Sequence, residues 1–244
     1  MLITGASRGI GAETALLAAR NGFDVCVNFE QDEDAAIAVV EAVEAEGQRA
    51  IAVQANIAVE SEVANLFKTV DRSLGRLTAL VNNAAILEQQ SDFENISLQR
   101  LKRVLDINVG GSFLCAREAV LRMSYKYGGD GGTIVNMSSR AAVLGSAHEF
   151  VDYAASKGAI DSMTIGLANE VGDQGIRVNA VRPGLIYTDM HASAGEPNRV
   201  DRMKSGVPMK RGGLPLEVAK AILWLSSEDS AYTTGTFIDV SGGR

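Results

Sequence analysis

The chain alternates short, β-rich apolar runs with longer segments of helical periodicity, and this alternation constrains its fold more than any other feature. The strand candidates are MLIT, DVCVNF, RAIAVQA, LTALVNN, TIVNMSS, IRVNAVRP and TFIDV. The helix candidates between them lie at about 10–21, 35–46, 63–74, 98–125, 153–171 and 216–225. Parallel strands need a helical crossover to return the chain. The pattern therefore predicts a doubly wound, Rossmann-type α/β fold, with a mostly seven-stranded parallel sheet and helices on both faces.

Length and charge narrow the class of protein further. With 244 residues, 46% of them hydrophobic, the chain can build a sizeable core, and we predict one dinucleotide-binding and catalytic domain over residues 1–244. A formal charge of −7 opposes long-range attraction to nucleic acid or to a membrane surface, so we expect neither partner. No apolar stretch reaches the roughly 18 residues of a membrane span and no signal-like segment is present, which predicts a cytoplasmic location.

Two local features complete this outline. The only cysteines, Cys26 and Cys115, match no metal-ligand or redox spacing, and we expect no metal site. The first strand candidate has only Met1–Thr4 before a glycine turn, which is short for a central strand and leaves open a natural start upstream of Met1.

A glycine-rich turn follows the first strand candidate. The segment Thr4–Gly11 reads TGASRGIG and stands between a strand and an amphipathic helix. Glycines there allow a tight turn and let the backbone approach a pyrophosphate, which the helix N-terminus then faces. A plain strand-to-helix turn is the alternative interpretation, but the position after the first strand of a βαβ chain favours nucleotide binding.

The spacing of this turn resembles the short-chain dehydrogenase/reductase family. In that family a T-G-x-x-x-G-x-G turn, an N-N-A-G element and a Y-x-x-x-K pair occur in fixed order; here they are Gly5–Gly11, Asn82–Ala85 and Tyr153–Lys157. Ala85 replaces the usual glycine. The resemblance covers essentially the whole chain, including the closing GTFIDVSGG, and is nearest to bacterial reductases of sugars or 3-oxoacyl groups.

The resemblance implies a nicotinamide cofactor and assigns residues to it. Asn83 would border the adenosine ribose, Asn56 and Ile57 would flank the adenine, and the segment from Pro183 to Thr188 would meet the nicotinamide carboxamide. The full set of cofactor-binding candidates is Gly5, Ser7, Arg8, Gly9, Ile10, Gly11, Asn28, Phe29, Asn56, Ile57, Asn83, Ala84, Tyr153, Lys157, Pro183, Gly184, Ile186 and Thr188.

The end of the second strand bears on the choice between NADP and NAD. Members that prefer NAD carry an acid there, which binds the ribose 2′-hydroxyl and would repel a 2′-phosphate. This chain has Asn28 and Phe29 at that place, and its glycine turn supplies Arg8. Glu30, one residue later, points the other way. We therefore predict NADP as the preferred cofactor, with NAD as the second option.

Tyr153 and Lys157 are candidates for the chemistry itself. Four residues apart on a helix, they share one face, and a cation beside a phenol lowers its pKa from about 10. Tyr153 is thus predicted to be the general acid for carbonyl reduction and the base for alcohol oxidation. By resemblance, Lys157 also binds the nicotinamide ribose, Ser139 polarises the substrate oxygen, and Asn108 anchors a water of the proton path.

Three points concern the substrate side. Ser139 is preferred over Ser138 because it fits the register to Tyr153, although the interval between them is one residue longer than in many relatives, with the extra residue placed in 148–150. The long irregular segment at about 188–215 is the predicted substrate lid. Its polar composition favours a small polar carbonyl or alcohol.

The sequence leaves alternatives to an active reductase of small carbonyls. A 3-oxoacyl-carrier-protein reductase would need a basic docking patch, for which Arg140, Arg199, Arg202, Lys204, Lys210 and Arg211 are candidates. A nucleotide sensor that has lost catalysis is the third hypothesis, and the intact set of Asn108, Ser139, Tyr153 and Lys157 weighs against it. By resemblance we expect a homotetramer.

Overall fold

The computed structural model describes residues 1–244 and contains one parallel sheet of seven strands. The strands are β1 Leu2–Ile3, β2 Val25–Phe29, β3 Ala50–Gln54, β4 Ala79–Asn82, β5 Gly132–Met137, β6 Ile176–Pro183 and β7 Phe237–Val240. The α-helices are α1 Gly9–Arg20, α2 Glu33–Ala45, α3 Glu60–Ser73, α4 Leu98–Leu105, α5 Ser112–Met123, α6 Ala141–Leu144, α7 Val151–Val171, α8 Met190–Ser193, α9 Arg199–Met203 and α10 Pro215–Ser226.

The strand order β3-β2-β1-β4-β5-β6-β7 reverses direction between β1 and β4. Leu2 pairs with Cys26 on one side and with Leu80 on the other, so β1 lies at the centre of the sheet. At this reversal the crossovers leave toward opposite faces, and a crevice opens beyond the carboxyl ends of the strands. The doubly wound fold predicted from the sequence is confirmed, and its topology indicates where a ligand binds.

Alternating strand residues supply two separate cores, one on each face of the sheet. Ile3 and Val27 pack in a 21-residue core with residues of α1, α2 and α10, whereas Leu2 and Cys26 pack in a 19-residue core with residues of α3, α5 and α7. Burial on both faces explains why the strands are almost uniformly apolar. None of the helices combines the length and apolar character needed to cross a membrane.

Two predicted elements differ from those observed. The helix expected over 98–125 is interrupted by a wider, π-type turn at Asp106–Gly111 between α4 and α5. The segment 188–215, expected to be irregular, contains α8 and α9. Both helices are too short to produce a clear apolar period, since each makes little more than one turn. Their apolar residues Leu185, Val200 and Val207 form a small core of their own.

Candidate active site

The glycine-rich loop between β1 and α1 has the conformation that its glycines predict. Gly5 and Gly9 have φ values of +60° and +58°, a region that residues with a β-carbon rarely occupy. Gly11 has an ordinary φ but leaves no space for a side chain, because a β-carbon would lie 2.6 Å from the Gly5 carbonyl oxygen. The first turn of α1 carries no acidic residue. Its free N–H groups can therefore face a phosphate, and the loop fits a dinucleotide.

Side chains from the neighbouring strand ends hold this loop in place. Asn83 Nδ2 donates to the carbonyl oxygens of Thr4 and Gly5, at 2.8 and 2.9 Å. The Thr4 hydroxyl accepts from the N–H groups of Asn83 and Ala84, both at 3.0 Å. The amide of Asn83, predicted to border the adenosine ribose, is thus committed to the loop itself.

Asn28 was placed among the cofactor contacts, and its side chain has a different task in the structure. It is 2% exposed, and its Nδ2 donates to the carbonyl oxygens of Val53 and Ala55 while its Oδ1 accepts from the Gly5 N–H. These bonds tie the Asn28 amide to the backbone at β2 and the end of β3 and to the glycine loop. Asn28 therefore supports the loop, and its effect on a cofactor would be indirect.

The outer end of the crevice carries the groups that bear on cofactor choice. Arg8 is exposed and has no carboxylate partner, so its guanidinium is free to bind an anion. The Glu30 carboxylate accepts from Asn56 Nδ2 at 3.1 Å, a contact that the sequence pattern did not indicate. Phe29 and Ile57 are 4% and 5% exposed, so their side chains offer little surface to a ligand.

Tyr153, Ser139 and Lys157 meet at the inner end of the crevice. The Ser139 side chain lies beside the Tyr153 phenol, and Lys157 Nζ lies 5.5 Å from the centre of the Tyr153 ring. Lys157 Nζ donates to the Met137 carbonyl oxygen at 2.7 Å. Ser138 is buried and its hydroxyl donates to the Lys157 carbonyl oxygen at 3.3 Å. Ser139 thus lies on the cleft side beside Tyr153, whereas the Ser138 hydroxyl is bonded to the backbone of α7.

Burial decides the protonation of this pair. Loss of water raises the pKa of Tyr153 to about 12, and the hydrogen bond from Ser139 opposes the rise. Loss of water lowers the pKa of Lys157 to about 8, and Asp161 opposes the fall. The sequence predicted that Lys157 lowers the pKa of Tyr153; in this structure burial raises that pKa instead. At neutral pH the phenol is protonated and most of the lysine is charged.

Asn108 lies behind the pair, in the π-type turn between α4 and α5. Its Oδ1 accepts from the Ile86 N–H at 2.8 Å, and its Nδ2 donates to the Ile86 carbonyl oxygen and to Ser156 Oγ, both at 3.1 Å. Ser156 in turn donates to the Tyr153 carbonyl oxygen at 2.7 Å. Asn108 is fully buried, and its hydrogen bonds join the segment after β4 to α7, the helix that carries Tyr153 and Lys157.

The segment after β6 closes the inner end of the crevice. Thr188 lies against the glycine loop, since a β-carbon on Gly9 would come within 3.5 Å of its Cγ2. His191 at the start of the lid contacts the Ile186 carbonyl oxygen through Nε2 at 3.2 Å, and its Nδ1 is buried without a hydrogen-bond partner. Burial lowers the pKa of His191, so its ring is neutral at pH 7.

A single cleft of about 1030 Å³ joins these parts. Its volume is slightly above the range of about 300–1,000 Å³ for ligand pockets, which suits a dinucleotide with a substrate. The predicted site residues that line it are Gly5, Ser7, Arg8, Gly9, Ile10, Asn28, Phe29, Asn56, Ile57, Asn83, Ala84, Ser139, Tyr153, Lys157, Pro183, Gly184, Ile186 and Thr188. Gly11 and Asn108 support it from behind. Glu149 and Arg199 also line the cleft; Arg199 was predicted only as part of the lid and of a docking patch, and Glu149 only as part of the segment with the extra residue.

The architecture and the motifs agree with comparisons to known proteins. A short-chain dehydrogenase family model, described as enoyl-(acyl carrier protein) reductase, matches residues 5–244. The chain belongs to the short-chain dehydrogenase/reductase family. Membership identifies it as an NAD(P)-dependent oxidoreductase acting on CH–OH and C=O groups.

Individual members of the family cover nearly the whole chain. An uncharacterized oxidoreductase of Escherichia coli strain K12 is 56% identical over 243 residues, which are 100% of this chain and 98% of the relative. A 3-oxoacyl-[acyl-carrier-protein] reductase of Synechocystis is 40% identical, covering 99% and 95%. A short chain dehydrogenase of Burkholderia cenocepacia, solved in complex with NADP, has a TM-score of 0.91 and 33% identity, covering 99% and 96%.

Gly11→Ala tests whether the glycine loop binds the nucleotide. The added methyl group would displace the Gly5 carbonyl and the Asn83 amide, so we expect at least a tenfold rise in the Kd for NADPH, measured by calorimetry. Gly166→Ala is the control, because a β-carbon there meets nothing within 4 Å. Equal affinities of the two variants would contradict a close approach of the loop to the pyrophosphate.

Proposed function

We propose that this enzyme is an NADPH-preferring reductase of small carbonyl compounds, with Tyr153 as the general acid. The observation that carries the proposal is the cluster of Tyr153, Ser139 and Lys157 in the same cleft as the glycine-rich loop. A protonated phenol beside a second hydroxyl is suited to receive a carbonyl oxygen. Reduction is the direction that this protonation state favours.

The chain supplies the binding and the proton, and the cofactor supplies the hydride. Gly5, Gly9 and the N-terminus of α1 would hold the pyrophosphate, while Ile186 and Thr188 would hold the carboxamide. When bound, reduced nicotinamide provides the hydride that adds to the carbonyl carbon.

The proton moves from Tyr153 to the substrate oxygen. The hydroxyls of Ser139 and Tyr153 would both donate to that oxygen, which polarises the carbonyl group and fixes its position. As negative charge develops on the oxygen, the Tyr153 proton transfers to it and leaves a phenolate. The Lys157 ammonium stabilises this phenolate, and Asn108 keeps α7 aligned through Ser156.

Charge at the outer end of the crevice supports a preference for NADP over NAD. The unpaired Arg8 guanidinium could bind a 2′-phosphate with charge-assisted hydrogen bonds. The Glu30 carboxylate opposes this preference because it would repel a 2′-phosphate. Its hydrogen bond with Asn56 holds the carboxylate in place. NAD remains the second option for the cofactor.

The alternative, a 3-oxoacyl-carrier-protein reductase, is supported by the name of the Synechocystis relative. Its docking patch is weakened because five of the six candidate cations have carboxylate partners within the chain. These pairs are Arg140–Asp239, Arg199–Glu149, Arg202–Glu196, Lys204–Asp201 and Arg211–Glu217. Only Lys210 lacks a carboxylate, and its ammonium donates to the Ser205 carbonyl oxygen. A neutralised rim favours a small, free substrate.

The remaining expectations follow the same proposal. Segment 188–215 would act as the substrate lid of a single catalytic domain.

A homotetramer would bury apolar side chains that are exposed on α4 and α5, among them Leu98, Phe113 and Leu121. A catalytically silent NADP sensor would need no complete set of Asn108, Ser139, Tyr153 and Lys157, so the intact cluster favours an active enzyme.

Tyr153→Phe tests the general acid. Removing the hydroxyl should lower kcat for NADPH-dependent carbonyl reduction by about 10²- to 10⁴-fold, the usual contribution of a positioned acid. The Kd for NADPH should change little. Cofactor oxidation followed at 340 nm with a panel of ketones, aldehydes and sugars measures the effect. Tyr232→Phe, a fully exposed tyrosine, is the control. Full activity in Tyr153→Phe would overturn the assignment.

The pH dependence tests the charge on Lys157. Its ammonium exists below its pKa of about 8, so kcat/KM for reduction should be constant between pH 6 and 7 and fall as the pH rises through that value. Tyr153, with a pKa of about 12, stays protonated throughout this range. Initial rates in buffers of constant ionic strength would show the decline. A profile that stays flat to pH 10 would exclude a role for the charge.

Paired variants test the preference for NADP. Arg8→Gln should raise the KM for NADPH by roughly ten- to a hundredfold, because a hydrogen bond to a charged group contributes about 1.5–3 kcal/mol, and leave the KM for NADH nearly unchanged. Glu30→Gln should lower the KM for NADPH by removing a like charge. Equal effects of Arg8→Gln on both cofactors would show that Arg8 does not contact the 2′-phosphate.

A further inference from the structure

The loop before α7 contains two residues with a left-handed backbone and ends at the carboxylate of Glu149. Ser146 and His148 have φ values of 48° and 60°, a left-handed conformation that is unfavourable for residues with a β-carbon. Contacts from outside the loop reach its second half: the Ser91 N–H donates to the Glu149 carbonyl oxygen at 3.0 Å, and His148 Nδ1 lies 2.9 Å from Asp92 Oδ1. Strain of this kind persists where the surrounding structure fixes a functional residue.

The residue presented is Glu149, and its partner is Arg199 at the start of the lid helix α9. Two parallel hydrogen bonds of 2.7 and 2.6 Å join the guanidinium to the carboxylate. The Arg199 side chain is only 7% exposed and also lies over the Phe150 ring, 5.0 Å from its centre. A bidentate pair shielded from water is far less weakened by solvent than the ion pairs at the protein surface.

The position of the pair connects the lid to the reacting groups. Glu149 lies four residues before Tyr153, at the entrance to α7, while Arg199 belongs to the lid, and both line the cleft. Arg199 bonds Glu196 at 3.4 Å, and Arg202 also pairs with Glu196, so the lid segment 196–202 is tied together as one unit. The pair therefore joins two walls of the cleft across its substrate side.

We propose that Glu149 and Arg199 determine substrate specificity by fastening the lid to the catalytic helix before substrate arrives. The inference rests on the proposed function and narrows its substrate class. A lid fastened in this way leaves room for a small carbonyl compound that enters free. It obstructs a thioester whose long pantetheine arm must pass between the same two walls. Neither residue touches the reacting atoms, so both are positioning residues.

Limited proteolysis tests the fastening without any need for turnover. Trypsin cleaves after Arg199, Arg202 and Lys204, all within the lid. In Glu149→Gln, which keeps the shape of the side chain and removes its charge, we expect lid cleavage at least ten times faster than in wild type. Arg199→Lys should respond in the same way, measured at Arg202 and Lys204, because lysine cannot form the bidentate pair. Glu46→Gln, which removes an exposed partner of Arg20, should leave the rate unchanged.

Two probes test the specificity with the same proteins: 2,3-butanedione as a small dicarbonyl and acetoacetyl-coenzyme A as a pantetheine thioester. Wild type should have the higher kcat/KM with the dione. In Glu149→Gln the KM for the dione should rise, kcat should change less, and the ratio of kcat/KM values should shift at least tenfold toward the thioester. Glu149→Asp, which keeps the charge, should restore part of both properties.

Each result has a definite meaning. Unchanged cleavage in Glu149→Gln, with circular dichroism showing an intact fold, would overturn the fastened lid. Faster cleavage with an unchanged ratio of the two substrates would overturn the specificity role, as would a wild type that prefers the thioester. A wild type that reduces neither probe nor any other carbonyl would contradict the proposed function, while the cleavage rates would still decide whether the pair fastens the lid.

Discussion

Burial of a parallel sheet on both faces is the constraint from which the site follows. It forces each crossover to be a covering helix, and it places the strand order reversal between β1 and β4 in the middle of the molecule. There the backbone groups at the strand ends have no neighbouring strand to bond with, although they lie next to the packed core. Their backbone groups must bond to side chains, solvent or ligand. The crevice is thus the place where the fold itself leaves hydrogen-bonding groups available.

Asparagine is the residue with which this chain meets that requirement, since its amide can both donate and accept. Asn28 and Asn83 hold the glycine loop, and Asn108 holds the segment after β4 against the catalytic helix. Behind them Asn82 Nδ2 donates to Asn136 Oδ1 at 3.0 Å, inside the sheet. A buried amide without partners would cost about 1–3 kcal/mol, so these contacts fix one arrangement of the loops. These contacts in turn fix the position of the glycine turn relative to Tyr153.

The sheet and the helical placement of the candidate pair Tyr153 and Lys157 could be predicted because both depend on order along the chain. Alternation of apolar runs determines the fold, and the spacing of Tyr153 and Lys157 determines their shared helix face. The use of Asn28 could not be predicted, because a polar residue at a strand end is equally compatible with a ligand or with the neighbouring backbone. The pairing of Glu149 with Arg199 joins residues 50 positions apart, and no local period records it. The helices α8 and α9 were missed because one turn gives no periodicity.

The charges of the site show that the spacing of two titratable residues does not by itself determine their protonation. Spacing suggested that Lys157 would draw the pKa of Tyr153 downward. Burial instead raises the pKa of Tyr153 and lowers that of Lys157, because it disfavours the charged form of each group. Such a phenol keeps its proton at neutral pH but is a weak acid, so it can pass that proton to a substrate only if a cation lies near enough to stabilise the phenolate formed during transfer. Lys157, held by the Met137 carbonyl on the same side of the cleft, meets that condition while remaining mostly charged at neutral pH. Under the proposed mechanism, carbonyl reduction would start from this protonated phenol, whereas alcohol oxidation would first require the phenol to lose its proton.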